Sequence, residues 1–408
     1  MPTISVIIPN FNNAAYVAPA IASVLAQSYQ DVEIIVIDDG STDDSRAVTT
    51  QFGDEVRYHW QANQGLAAAR NSGIRVAQGD WIALLDADDQ WLPTYLATML
   101  ALTKDHPNGV VYYCAAQCMD QHGHDLPRRL GAPVGPPETT YQTLVRANFL
   151  IPSTMLLRRQ VVVAAGLFDP RLRACEDWDL WLRLGPQQRF IGTSACLVRY
   201  RVHPASLSAN VTGMHQAAQA VVEKNFGPND GQYQAWSQTK QRAYGGLYRY
   251  FVLTLVQRQN NWTAAAAALK TALQMDDSLA TDLDLFYELA WGNQPAGYRG
   301  TTYALNLAFN LAQVEELLQT LYTDLSAAGS PPAAAAQYRR LCGTAYYALG
   351  LACYHTGHVV DSRRFFVAAL PHRPALGRDS RLSGSLIRSF AGPKALQWFR
   401  QVRRQFSV

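Results

Sequence analysis

The 408-residue chain has no apolar run approaching the roughly 20 residues that cross a bilayer, so no spanning helix is expected. Its six cysteines follow no regular spacing. That excludes a disulfide framework and points to free thiols in a reducing compartment. Charge is scarce as well: 35 Lys and Arg stand against 32 Asp and Glu, a formal net charge of +3. So slight an excess leaves no broad basic face, and nucleic acid is not an expected partner. No Gly-x-Gly-x-x-Gly turn follows the first strand pattern, Ile4-Ser5-Val6-Ile7-Ile8; Pro9-Asn10-Phe11-Asn12 stands there instead. A dinucleotide-dependent oxidoreductase needs that turn. A nucleotidyltransferase would carry a Gly-rich phosphate loop at the same place. The chain enters its first strand at once, without the layout of a signal peptide, and a cytoplasmic location is expected.

What is present is a set of acidic strand ends. Trp81-Ile82-Ala83-Leu84-Leu85 reads as a buried strand that runs into Asp86-Ala87-Asp88-Asp89. Carboxylates packed so closely repel one another, and a buried pair does not ionise cheaply. A divalent cation with oxygen ligands, Mn²⁺ or Mg²⁺, removes that conflict, and a diphosphate would complete its coordination. Val32-Glu33-Ile34-Ile35-Val36-Ile37 is a second β-branched run, and it ends in Asp38-Asp39-Gly40-Ser41-Thr42-Asp43. Ser41 or Asp43 would cap the helix that follows. Hydrophobic strands that each lead into a helical stretch predict βα units in a parallel sheet, whose ligands bind beyond the carboxyl ends of the strands. Asn10, Asn12, Asp38, Asp39, Asp86 and Asp88 are therefore expected at one edge. An acidic turn alone could be a solvated loop; three polar strand ends in register favour a site.

These motifs, with Ser23-Val24-Leu25-Ala26-Gln27 and Asn63-Gln64-Gly65-Leu66-Ala67-Ala68-Ala69-Arg70-Asn71 between them, resemble a family 2 glycosyltransferase of GT-A fold. The resemblance is dense over the first 100 or so residues and thins toward residue 215. It implies that Asp39 accepts a hydrogen bond from the nucleotide base, uracil by expectation, and that Pro9 and Asn10 rim that base. Arg70 resembles the residue that approaches the base or diphosphate. Asp86 looks like the ribose-side member of the DxD motif and Asp88 like the metal ligand, with Asp86 a further ligand candidate. His203, in Tyr200-Arg201-Val202-His203-Pro204, resembles a residue near the diphosphate or metal. A surface ion pair for Arg70, and a plain satisfied histidine, are the competing readings.

Inverting sugar transfer also needs a base beside the acceptor hydroxyl. In Arg173-Ala174-Cys175-Glu176-Asp177-Trp178-Asp179-Leu180-Trp181-Leu182, the apolar spacing predicts a helix with Glu176 and Asp177 in its first turn. Negative charge is tolerated there by the helix dipole, so simple helix-start stabilisation is the alternative. The resemblance favours Asp177 as base and Glu176 as its support or substitute. The function so implied is metal-dependent, inverting transfer from a UDP-sugar to a glycan or lipid-linked acceptor. A non-catalytic scaffold that binds nucleotide-sugar or a protein partner is the rival.

Cys114, Cys118, His122 and His124 have zinc-like spacing, but residues four apart on a strand stand roughly 13 Å apart, too far to share one ion. The Pro- and Gly-rich stretch 123–140 reads as a long loop on the acceptor side. Ile151-Pro152-Ser153-Thr154-Met155-Leu156 reads as a strand, with Ser153 either touching the acceptor or filling a turn. A boundary near Phe226-Gly227-Pro228 divides a domain of residues 1–227 from an all-α domain of residues 232–408. There Tyr346, Leu349, Gly350, Gly357, Phe366, Ala369 and Pro374 fall at tetratricopeptide-like spacing, with a weaker echo in Ala265, Leu269 and Ala272. A plain helical bundle is the alternative, and either could bind a protein partner or self-associate. Residues 378–408 carry Arg378, Arg381, Arg388, Lys394, Arg400, Arg403 and Arg404 against Asp379, with Trp398, Phe399 and Phe406 among them. That composition fits a helix on the inner face of the membrane, or a terminal helix covering the bundle.

Overall fold

The computed structural model describes residues 3–131, 137–203, 206, 209–295, 297–325 and 332–378. The basic tail read above lies outside the described residues from 379 onward. The chain divides into two compact units, Met1–Asp230 and Gly231–Val408.

The first unit is built on one sheet of nine strands: β1 (Ile4–Asn10), β2 (Val32–Asp38), β3 (Val56–Trp60), β4 (Trp81–Leu84), β5 (Gln90–Trp91), β6 (Gly109–Met119), β7 (Asp125–Leu130), β8 (Met155–Arg158) and β9 (Arg189–Arg201). The spatial order is β3-β2-β1-β4-β8-β6-β9-β5, with β7 paired to β6. Its helices are α1 (Ala14–Leu25), α2 (Ser45–Thr50), α3 (Leu66–Val76), α4 (Tyr95–Asp105), α5 (Pro137–Arg146), α6 (Arg159–Ala164), α7 (Glu176–Leu184) and α8 (Val211–Phe226).

The expected parallel sheet holds for β3, β2, β1 and β4, which α1, α2 and α3 connect as crossovers. β1 is buried along its whole length, as a strand covered on both faces must be. The chain steps from β1 to β2 on one side and later returns to β4 on the other. The resulting switch point opens a crevice at the carboxyl ends. Asn10 lies in register with Asp38, and Ile7 with Leu84, so the three polar strand ends do share an edge.

Beyond β4 the sheet becomes mixed. β8 runs antiparallel to β4 and β6, and β5 antiparallel to β9, while β6 and β9 are parallel. The short turn 120–124 between β6 and β7 cannot hold a crossover, so that pair is antiparallel. This corrects the long-loop reading of 123–140: β7 occupies part of it and α5 begins at Pro137, with residues 132–136 outside the described set. Pro127 is exposed in β7, which among the described residues pairs with β6 alone, an edge position where proline is tolerated. Residues 152–154 form a 3₁₀ turn rather than a strand, started by Pro152, and β8 begins at Met155.

In the second unit every regular element among the described residues is helical: α9 (Gln238–Gln259), α10 (Trp262–Met275), α11 (Leu283–Trp291), α12 (Leu307–Leu325), α13 (Pro332–Thr356) and α14 (Val359–His372), with short 3₁₀ turns. Ser237, Asn261 and Asp282 cap α9, α10 and α11 by accepting backbone N–H bonds. α13 and α14 form a helical hairpin with the small residues where the tetratricopeptide spacing expects them. A methyl on Gly350 would lie 2.4 Å from the Phe366 ring. Gly357, at φ 88°, ends α13 in the left-handed turn that suits glycine. Ala265, Leu269 and Ala272 are buried on α10. None of the described helices is long and apolar enough to cross a membrane.

Candidate active site

The acidic turn after β4 is held from three sides. The Asp86 N–H donates to Ser153 Oγ at 3.0 Å, and the Ser153 hydroxyl donates to Asp89 Oδ2 at 2.5 Å. The Arg201 N–H donates to the other Asp89 oxygen at 2.8 Å, and Arg201 Nε donates to the Asp88 carbonyl at 2.7 Å. Asp89 is 1% exposed. Burial, with Asp88 and Asp86 close by, pushes its carboxyl well above the ordinary range. Ser153 is wholly buried. Of its two sequence readings, the turn-holding one is what the geometry shows. With Asp89 and Ser153 facing inward, Asp88 keeps its carboxylate partly open, and its Oδ2 lies 3.0 Å from His203 Nε2. The His203 ring packs against Tyr16, 5.5 Å between centroids.

Arg70 joins this turn to α7. It is 1% exposed, donating from Nη2 to Asp86 Oδ1 at 2.7 Å and from Nη1 to Glu176 Oε1. Its guanidinium also lies over the Phe168 ring at 5.5 Å. This is a buried bridge and not the surface ion pair that the sequence allowed.

α7 starts where the helical spacing placed it. Cys175, at its N-cap, adopts φ 56°, a left-handed conformation uncommon outside glycine. Glu176 is buried, and burial pushes its carboxyl up to about 7 against the pull of Arg70. Asp177 is half-buried. Its Oδ2 accepts from Asn148 Nδ2 at 2.8 Å and its Oδ1 from the Trp178 N–H at 2.7 Å. Burial raises its pKa, opposed by Arg70 and Asn148. One guanidinium thus bonds Asp86 and Glu176, and its charge favours the ionised form of Asp177 as well.

At the β1 and β2 ends, Asp38 and Asp39 organise loops. Asp38 accepts from the Ser41 N–H at 2.8 Å and from the Tyr58 hydroxyl at 2.6 Å. Asp39 accepts from Gln61 Nε2, the Gln64 N–H and the Gly65 N–H, at 2.7, 3.0 and 2.7 Å. A carboxylate has about four acceptor positions, so room for roughly one further donor is left. Asn10 donates to Ser41 Oγ at 3.2 Å, and its buried Oδ1 has no partner among the described residues. Pro9 is buried within β1 beside it. Asn12, at φ 52°, accepts from the Thr42 N–H at 2.8 Å. Asp43, not Ser41, serves the helix starts: it accepts from Ser45 and from Ala14.

A divalent cation fits this donor set in a limited way. No group of three or more His, Cys, Asp or Glu side chains among the described residues is arranged to hold a metal. Asp88 and His203 do stand together, with Asp86 in the same turn. One or two protein ligands completed by substrate phosphates is an ordinary arrangement for Mg²⁺. Cys114 and Cys118 are buried in β6, whereas His122 and His124 lie in the turn beyond it.

Asn148, Asp89 and Arg201 were not singled out from the sequence. Asp89 had a signal in its acidic neighbours. The other two act across folds of the chain that no local pattern records.

Residues 5–164 match the family described as glycosyl transferase family 2. An uncharacterized glycosyltransferase of Rickettsia typhi is 31% identical over 215 residues, covering 50% of this chain and 65% of that protein. This chain therefore spans less than two thirds of that relative. TuaG of Bacillus subtilis, named as a teichuronic acid biosynthesis glycosyltransferase, is 30% identical over 214 residues, covering 51% of this chain and 82% of TuaG. Among solved structures, the mannosyltransferase PcManGT of Pyrobaculum calidifontis, in complex with GDP-Man and Mn²⁺, aligns with a TM-score of 0.47 and 17% identity. That alignment covers 85% of this chain and 87% of PcManGT. On the match to TuaG and to the family, this chain belongs to glycosyl transferase family 2.

Proposed function

We propose that the chain is an inverting, metal-dependent glycosyltransferase that moves a sugar from a nucleoside-diphosphate donor, UDP-linked, to an acceptor hydroxyl. The observation that carries the reading is the Arg70 bridge. Through it the acidic turn after β4 and the first turn of α7 meet at one place, with Asp177 beside the junction.

In this reading the base of the donor lies over Pro9 and Asn10, within reach of the acceptor position left on Asp39. Asp88 and His203 would hold the cation, with Asp86 positioned by Arg70. When bound, Mn²⁺ or Mg²⁺ supplies positive charge against the departing diphosphate. Asp177 takes the proton of the acceptor hydroxyl as its oxygen bonds to the anomeric carbon. The bond from that carbon to the diphosphate oxygen breaks, and the nucleoside diphosphate leaves. Attack from the face opposite the leaving group inverts the anomeric centre. The likeness to TuaG, named for teichuronic acid biosynthesis, supports a place in polysaccharide or glycoconjugate synthesis.

A panel of UDP-, GDP- and dTDP-sugars with Mn²⁺, read by nucleoside-diphosphate release and by the anomeric coupling of the product, tests this. Asp177→Asn should lower turnover by about 10²–10⁴-fold, the usual worth of a positioned base. Full turnover in that variant, or retention at the anomeric carbon, would overturn the mechanism.

A further inference from the structure

We propose that Asn148 is a positioning residue for the base: its amide fixes the Asp177 carboxylate in the orientation that receives the acceptor's proton. The proposal rests on the reading of Asp177 as base.

The geometry is fixed from both ends. Asn148 Nδ2 donates to Asp177 Oδ2 at 2.8 Å, while Asn148 Oδ1 accepts the Leu150 N–H at 3.2 Å. A backbone N–H needs an oxygen opposite it. That requirement selects one of the two amide orientations, with the nitrogen toward the carboxylate. The segment carrying Asn148 is itself tied to α7. Trp178 Nε1 donates to the Leu144 carbonyl at 2.7 Å, from the residue that follows Asp177. Leu144, Leu150 and Trp178 are all buried. Asn148 is exposed and bonds a carboxylate that is half-buried, so it reaches Asp177 from the solvent side. With Oδ1 held by the Trp178 N–H, each oxygen of Asp177 has one fixed donor and a lone pair to spare. Rotation about the terminal carboxyl bond, ordinarily soft, is thereby stopped.

The charge balance at Asp177 follows from its neighbours. Arg70 on α3, Asn148 after α5 and the Trp178 N–H favour the carboxylate; burial, with Asp86 after β4, favours the acid. Glu176 and the Cys175 thiol share its turn. Removing the Asn148 amide takes away one donor to the charged form, so the Asp177 midpoint should rise.

The test uses the full chain with ¹³Cγ-labelled aspartate, the Asp177 signal being identified by its loss in Asp177→Asn. In Asn148→Ala its titration midpoint should rise by about one unit. Asn148→Asp keeps the acceptor for Leu150 and replaces the donor by a second carboxyl, so it should raise the midpoint further and serves if the alanine variant folds poorly. A midpoint unchanged in both variants would overturn the proposal and reduce Asn148 to a loop anchor. Failure of the underlying reading looks different: Asp177→Asn would keep its turnover in the donor panel, whatever the Asn148 variants do to the titration. Where turnover depends on Asp177, the acid limb of the Asn148→Ala rate profile should move with the midpoint.

Discussion

Arg70 on α3 and Glu176 at the head of α7 form an ion pair almost sealed from water, with side chains 1% and 4% exposed and 106 positions apart in sequence. Asp86, 24% exposed, takes the other arm of the same guanidinium. Arg70 lies between the acidic turn and the head of α7, so it sets their spacing. Breaking the pair should disturb both.

Removing one partner of a buried pair leaves an uncompensated charge, at a cost of roughly 3–5 kcal/mol. Arg70→Met should therefore destabilise the first unit strongly at neutral pH, as read by urea unfolding followed by tryptophan fluorescence. Arg70→Met combined with Glu176→Gln should lose clearly less than the sum of the two single changes. Additive losses would mean that the two side chains do not act as a pair.

The pH dependence has a definite sign. Burial lifts the Glu176 carboxyl to about 7 in the folded chain, above its value near 4.3 when unfolded. Between those values the folded state binds more protons than the unfolded one. Stability from this group is thus fully present below about pH 4 and falls as pH rises toward 7, by up to about 1.4 kcal/mol per unit. Unfolding midpoints at pH 5 and pH 8 should differ more for the native chain than for Glu176→Gln. Equal differences would contradict the assignment.

The first half of the site was legible in the sequence because its residues sit at strand ends. Burial of β1, β2 and β4 leaves a plain apolar signature, and the polar residues after each must emerge at one edge. Glu176 and Asp177 were legible for a similar reason, as the first turn of an amphipathic helix. The link between the halves was not. The sequence reads Arg70 as a residue near the donor or as a surface ion pair, and nothing local records a partner 106 residues away. Asn148 was obscured in the same way, and the proline and glycine content of 123–140 reads as loop although β7 forms within it.

The helical hairpin of the second unit makes its own prediction. Phe366 is fully buried and its ring leaves no room beside Gly350, so an added methyl group must displace it. Gly350→Ala should cost about 1–3 kcal/mol, the usual cost of overpacking a core. Calorimetric melting would show it. A variant as stable as the native chain would mean that α13 and α14 do not pack as closely as described.

The most direct measurement is calorimetric titration of the full chain with UDP, GDP and dTDP, with and without Mn²⁺, beside Asp88→Ala. The account predicts that UDP binds only when Mn²⁺ is present and that Asp88→Ala abolishes this binding while remaining folded. Equal binding of UDP without Mn²⁺ and in the variant, or no binding of any nucleotide to the folded native chain, would contradict it.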